Sequence, residues 1–279
     1  MTSPRSEPVP HQHREVAESF GSDAERYERA RPSYPEALVE RIVAASPGWD
    51  VLDVGMGTGI AARQFQTAGC RVLGVEVDAR MADLARRNGF EVEVASFEAW
   101  DPAGRTFEAV IAGQTWHWID PVAGAAKATE VLRPRGRLAV FWNVFQPSPD
   151  VREAFAAVYR QVRPDLPFNP WARPALDGYS ALFTKAADGM REVGAFDAPE
   201  QWRFEWERSY TREEWLDQVP THGGHALLPP AQLEELLAGL GAAVDAAGGG
   251  FTMGYIAVVV TAARTISAHD ARSRGGPDS

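Results

Sequence analysis

Cys70 is the only cysteine in this chain of 279 residues, so no internal disulfide can form. That usage suits a reducing compartment. No Lys/Arg cluster forms a stripe that could track a phosphate backbone. The net charge is −10, from 28 basic and 38 acidic residues, which argues against nucleic acid as a partner. The longest apolar run, 255–263, is too short to cross a bilayer, and prolines and charges stand where a signal peptide would carry its apolar core. These absences predict a cytoplasmic protein with no membrane partner. There is no internal repeat, and no spacing of cysteine, histidine and carboxylate completes a metal site. What is present is ordinary for a globular protein, 45% hydrophobic and 24% charged, in one large domain or a domain with a sizeable insertion.

Residues 1–15 and 267–279 are polar and read as disordered tails around a domain over 16–266. Within it, strand and helix patterns alternate. Ser33-Tyr34-Pro35-Glu36 has the form of a capping box ahead of an apolar helix to Ala45. Strands are predicted over 50–54, 71–75, 91–95, 107–112 and 137–142. Between them fall helices stopped by Gly69 and by Asn88-Gly89, opened by Asp78, and opened by Asp120 with Pro121 at the first helical position. This alternation predicts a parallel sheet with helices on both faces. The rhythm breaks over 144–200, where helical stretches flank the proline-rich 164–174. That segment is expected to be a lid or acceptor-binding insertion without a sheet role. A strand over 201–208, a helix opened by the capping box Thr211–Glu214, and a last strand over 252–262 after Gly248-Gly249-Gly250 complete the pattern.

The most specific stretch is Val51-Leu52-Asp53-Val54-Gly55-Met56-Gly57-Thr58-Gly59, a buried strand running into a glycine turn and a helix. Ile60 stands where a dinucleotide fingerprint would have its third glycine. Gly55 and Gly57 permit positive φ and close approach of backbone to a ligand. Glu76 closes the next strand, where a carboxylate can accept hydrogen bonds from ribose hydroxyls. Asp53 discriminates further, because a carboxylate at this turn repels a pyrophosphate and favours the ammonium and sulfonium of S-adenosyl-L-methionine. The plainer alternative is a strand-turn-helix corner that binds nothing.

These residues resemble the class I S-adenosylmethionine-dependent methyltransferases, over roughly residues 20–145 and more loosely to the end. The subgroup most similar is that of small-molecule enzymes including trans-aconitate methyltransferase. Its motifs are Val51–Gly59, Gly74-Val75-Glu76, Gln114-Thr115-Trp116-His117-Trp118, and Leu132-Arg133-Pro134-Arg135-Gly136. The family usually has glycine where this chain has Arg135. The resemblance implies an α/β, doubly wound, Rossmann-like sheet of seven strands in the order 3-2-1-4-5-7-6, with strand seven antiparallel. It implies that Asp53 and the backbone of Gly55, Gly57 and Gly59 hold the methionine end, Glu76 the ribose, Ser96 and Phe97 the adenine, and that Gln114 faces the methionine portion. The N-terminal segment with Tyr27, Arg31 and Tyr34 resembles a lid helix over the cofactor, with Arg31 pairing to the methionine carboxylate; a plain surface helix is the alternative.

The implied reaction is methyl transfer to a small organic acceptor at a carboxylate or hydroxyl oxygen. His117 is the leading candidate for a base, flanked by Trp116 and Trp118, although a buried histidine can equally serve packing. Trp118 and Trp142 would line an aromatic acceptor pocket, joined by His222 and His225 unless these sit in a surface loop. Two rival functions remain open: a nucleotide-dependent oxidoreductase, and an adenosyl-binding regulatory module without turnover.

Overall fold

The computed structural model describes residues 20–163 and 169–266. The predicted tails, residues 1–15 and 267–279, lie outside the described residues, as do 164–168 of the proline-rich segment. Among the described residues a seven-stranded sheet runs in the order β3-β2-β1-β4-β5-β7-β6. The strands are β1 Asp50–Val54, β2 Arg71–Glu76, β3 Glu91–Val94, β4 Phe107–Gly113, β5 Leu132–Pro147, β6 Glu200–Thr211 and β7 Gly250–Ala263. β1 pairs in parallel with β2 and β4, and β7 runs antiparallel to both β5 and β6. The expected order and the expected antiparallel strand are both present.

Each inner strand is buried on both faces, so its side chains alternate between two cores. Leu52, Val54, Val110, Val140 and Trp142 face a core closed by α5 Pro121–Val131 and α7 Ala175–Val193. Val51, Val72, Ala109, Ile111 and Phe141 face the opposite core, closed by α2 Glu36–Ala44, α3 Ile60–Thr67 and α4 Ala79–Arg87. A third, strongly aromatic core packs α6 Pro149–Val162, α8 Arg212–Gln218 and α9 Pro230–Ala246 around the far end of β5 and the start of β7. A short helix, α1 Ala24–Ala30, precedes them all.

Local chemistry sets most boundaries as expected. Asp78 accepts from the Arg80 amide at the start of α4, and Asp120 accepts from Val122 and Ala123 at the start of α5, with Pro121 behind it. Thr211 and Glu214 form the reciprocal capping box of α8. At Ser33–Glu36 the expected box does not form. The N-cap of α2 is Pro35, with no side-chain cap. Instead the Gln64 amide holds Tyr34 from both sides, accepting from its N–H at 2.9 Å and donating to its carbonyl at 2.7 Å.

The segment over 144–200 also differs from expectation. β5 continues to Pro147, so 144–147 pair with β7, and α7 covers the sheet as a core helix rather than standing apart from it. β5 begins early as well, with a register shift opposite Phe107 and Ala109. Arg135 in that early stretch has φ of +67°, a left-handed conformation that glycine adopts without strain, which accounts for the glycine usual in the resembling family.

Candidate active site

The carboxyl ends of β1, β2, β3 and β4 open into a cavity of about 540 Å³. Parallel α/β sheets place their ligands at this edge, and the volume suits a drug-sized molecule. Tyr27, Arg31, Gly55, Gly57, Glu76, Ser96, Phe97, Gln114, His117, Trp118 and His222 all line it. Asp53 lines an adjoining recess of about 60 Å³, shared with Arg31, Gly55, Gly57 and Gln114.

The glycine turn is shaped by backbone bonding. The amides of Gly55 and Met56 both donate to the Val75 carbonyl, at 2.7 and 3.3 Å. Gly55 and Gly57 have φ of +65° and +61°. The Gly57 amide donates to Glu76 Oε2 at 2.7 Å, and the Asp78 amide to Oε1 at 2.9 Å. A carboxylate offers about four lone-pair positions, so roughly two remain for a ribose diol. Burial pushes the Glu76 carboxyl above its usual range, against the pull of the Asp78 and Gly57 amides. Burial, with the nearby Glu76 charge, pushes Asp53 well up too. Asp53 Oδ2 is sealed from solvent without a protein partner. An acid in that condition calls for a cation or a donor from a ligand.

The cover comes from the N-terminal segment and from the loop that follows α8. Arg31 Nη2 donates to the Thr221 carbonyl at 2.5 Å, and the guanidinium lies 5.0 Å from the Tyr27 ring centre. Arg29 and Arg26 both bond Asp217 of α8, which ties α1 to the loop carrying His222. Arg31 Nε is buried without a partner, so the cation retains donor capacity for an anionic ligand group.

Also in the lining, His117 packs beside Trp118, with ring centres 4.6 Å apart and planes tilted by 43°, and its Nδ1 accepts from Trp142 Nε1 at 3.2 Å. Burial lowers the His117 pKa to about 4, so the imidazole is neutral near pH 7. His222 meets Gln218 and is held neutral by the same cause.

Three expected site residues lie off the cavity. Gly59 is the left-handed N-cap of α3, and a Cβ there would run into the Phe90 ring, so it serves packing. Trp142 is buried behind His117. His225 turns away to the Tyr159 hydroxyl at 2.6 Å, while His222 alone of the pair reaches the cavity. Phe20, at the start of the lid-like N-terminal segment, lines the cavity too, and so do residues that sequence reasoning gave no role: Thr115, Phe145 and Tyr179. Thr115 adjoins Gln114 within a recognised motif, and its hydroxyl bonds the Gly55 carbonyl at 3.2 Å. Phe145 and Tyr179 carried no motif; they enter because β5 runs on past Trp142 and α7 docks against it.

Residues 51–136 match the methyltransferase domain family. That stretch is similar to a methyltransferase domain and holds the glycine turn and Glu76. Asp53, Glu76 and Arg31 present charges and lone pairs of the kind that S-adenosylmethionine would engage. An uncharacterised methyltransferase of Mycobacterium tuberculosis is 35% identical over 133 residues, covering 47% of this chain and 54% of that protein. A malonyl-[acyl-carrier protein] O-methyltransferase of Enterobacter lignolyticus is 30% identical over 149 residues, covering 51% of this chain and 59% of that protein. The chain thus spans little more than half the length of these curated relatives. A solved structure from Anaeromyxobacter dehalogenans, described as a type II methyltransferase, superposes with a TM-score of 0.60 at 21% identity, covering 83% of this chain and 97% of that one. It shares the fold. The finer likeness to the trans-aconitate subgroup rests on the sequence motifs alone.

Proposed function

We propose that this protein methylates a small organic acceptor at oxygen, with S-adenosylmethionine as donor. The observation that carries the reading is a lining of two chemistries at the carboxyl edge of the sheet. Glu76 and Arg31 line the cavity, with Asp53 in the adjoining recess, together with the rings of Phe20, His117, Trp118, Phe145, Tyr179 and His222. The charged groups suit the amino-acid and ribose portions of the cofactor, and the rings an acceptor with an apolar body.

Bound there, the cofactor supplies a methyl group already activated by its sulfonium. The protein's task is then alignment and exclusion of water. Glu76 would accept from the ribose hydroxyls, Asp53 from the ammonium, and Arg31 would pair with the carboxylate. Phe97, which opens the 3-10 turn Phe97–Ala99, would lie against the adenine ring. Phe20 and Tyr27 of the N-terminal cover would shut out solvent. Oxygen as the acceptor atom is supported by the relative named as an O-methyltransferase. A cytoplasmic setting is supported by the lone cysteine; among the described residues no helix is long and apolar enough to cross a membrane.

Calorimetry with S-adenosylhomocysteine and NADH, followed by mass spectrometry of an acceptor panel incubated with S-adenosylmethionine, tests the reading. Tight S-adenosylhomocysteine binding and a mass gain of one methyl group support it. Preference for NADH would favour an oxidoreductase, and binding without turnover a regulatory module.

A further inference from the structure

We propose that Trp142 fixes His117 as its Nε2–H tautomer, making His117 a hydrogen-bond donor to the acceptor oxygen rather than a base. The role toward an acceptor rests on the methyl transfer proposed above; the tautomer itself does not.

The argument begins with the indole. Its N–H is a donor only, so the atom it faces at 3.2 Å, His117 Nδ1, must present a lone pair. A proton on Nδ1 would set two hydrogens against each other. Trp142 cannot easily move to relieve this. It is 1% exposed in the middle of β5, paired with Val258 of β7, and its ring lies 5.4 Å from that of Phe183. Leaving its N–H unmet in the core would disfavour the other tautomer by roughly ten- to a hundredfold. The Trp118 ring packs against the imidazole, 4.6 Å between centres. Nε2 has no protein partner among the described residues and is not sealed off, so it is the ring nitrogen left to the cavity. A neutral ring with Nδ1 already accepting must carry its proton there. No carboxylate among the described residues bonds His117 to draw off a proton from behind, as a relay of the Ser-His-Asp type would require.

The chemical consequence is a restriction on the acceptor. Nε2–H can steady an oxygen that carries a charge or a free lone pair, and cannot take a proton from a neutral hydroxyl. The acceptor class that fits is an oxygen ionised before it enters, a carboxylate or an enolate on an apolar body. In the step itself the oxygen lone pair forms the new O–CH3 bond as the C–S bond breaks. That electron pair goes to sulfur, and no proton is transferred. Donor cation and acceptor anion both become neutral. Trp142 is a positioning residue in this scheme.

Nuclear magnetic resonance of the full chain labelled with ¹⁵N-histidine reads the tautomer directly. His117 is assigned by the signals that vanish in His117→Gln. We expect a bare Nδ1 and a protonated Nε2 from pH 6 to pH 8.5. A protonated Nδ1, or an imidazolium at neutral pH, would overturn the proposal. In Trp142→Phe, with folding checked by circular dichroism, the tautomers should mix; an unchanged pure Nε2–H form would remove Trp142 from the scheme. Should that variant not fold, the wild-type spectrum still decides.

Turnover of whichever acceptor the panel identifies supplies the second readout. Glutamine keeps a donor but is no base, so His117→Gln should cost no more than about tenfold, whereas His117→Phe should cost about a hundredfold. A base would lose roughly 10²–10⁴-fold in both variants, and that outcome would overturn the donor role. S-adenosylhomocysteine binding on the same samples reports separately on the methyl-transfer reading. The expected tautomer without such binding would sink the function and leave the His117–Trp142 relation standing.

Discussion

The amide of Gly57 donates to Glu76 Oε2 at 2.7 Å, joining the glycine turn after β1 to the acid that ends β2. With the Gly55 and Met56 amides on the Val75 carbonyl, this bond fixes the spacing between the turn and that acid. Asp53, one strand position before Val54, faces the α2–α3 side of the sheet, with Oδ2 unpartnered beneath the turn. The candidate site holds two buried acids, Glu76 bonded by backbone amides and Asp53 with an oxygen unpartnered, and most of its expected behaviour follows from that.

Asp53→Asn should trade stability for binding. Removing an unpaired buried acid ought to leave the free protein as stable or more stable, by up to about 2 kcal/mol. The affinity for S-adenosylhomocysteine should fall roughly ten- to a hundredfold, the worth of a charge-assisted hydrogen bond. Thermal melts paired with calorimetry make the comparison. A loss of both stability and affinity would show that Asp53 is a scaffold residue.

Glu76→Ala should abolish discrimination at the ribose. The wild-type protein is expected to bind a 2′,3′-dideoxy analogue of S-adenosylhomocysteine about 1–3 kcal/mol less well than the parent compound. The variant should bind the two alike. An equal penalty in both proteins would place the ribose elsewhere.

Ligand stabilisation should grow with pH. Asp53 and Glu76 both titrate above their ordinary range, because burial disfavours their charge. A carboxyl whose folded pKa is raised favours the free fold below its unfolded pKa, about 4, and loses that advantage as pH rises through the folded value. A ligand that needs these groups ionised binds better over the same interval. His117 has the opposite slope: with its pKa lowered to about 4, its contribution is present above about 6.5 and is lost as pH falls toward 4. Subtracting the free melt from the bound melt cancels that part wherever the ligand leaves His117 unchanged. The shift in Tm from saturating S-adenosylhomocysteine should therefore be larger at pH 8 than at pH 5. A shift that shrinks with rising pH would contradict the assignment of the two acids.

Two glycines two positions apart in the same turn should respond differently to alanine. Gly59 has φ of +95° and lies against the Phe90 ring, so Gly59→Ala should destabilise the fold by about 2 kcal/mol or more while affinity per folded molecule changes little. At Gly57, with φ of +61°, a Cβ would meet only the Met81 methyl, at 3.5 Å, and would project into the ligand's space. Gly57→Ala should lose affinity out of proportion to any loss of stability. Urea denaturation alongside calorimetry separates the two effects.

Local pattern made the backbone of this site legible in the chain. The buried run 51–54, the glycines after it and Asp78 as a helix cap all act within a few residues, so dihedral preference and hydrogen bonding to near neighbours suffice to specify them. The capping box at Ser33 failed for the complementary reason: Gln64, 30 positions from Tyr34, supplied a stronger partner for the backbone. Glu76 and Gln114 were placed by motif, and the sheet order brought them to one edge.

The amino-acid sequence by itself determined the strand–turn–helix unit, the acids at its rim and hence the kind of cofactor the fold accommodates. Only the tertiary structure decided that His222 reaches the cavity while His225 bonds Tyr159, that Phe145 and Tyr179 line that cavity, and that Trp142 stands behind His117. Those relations join residues 25 to 66 positions apart across separate elements. Packing of one element on another sets them, and no periodicity along the chain encodes which atom of a ring will face which neighbour.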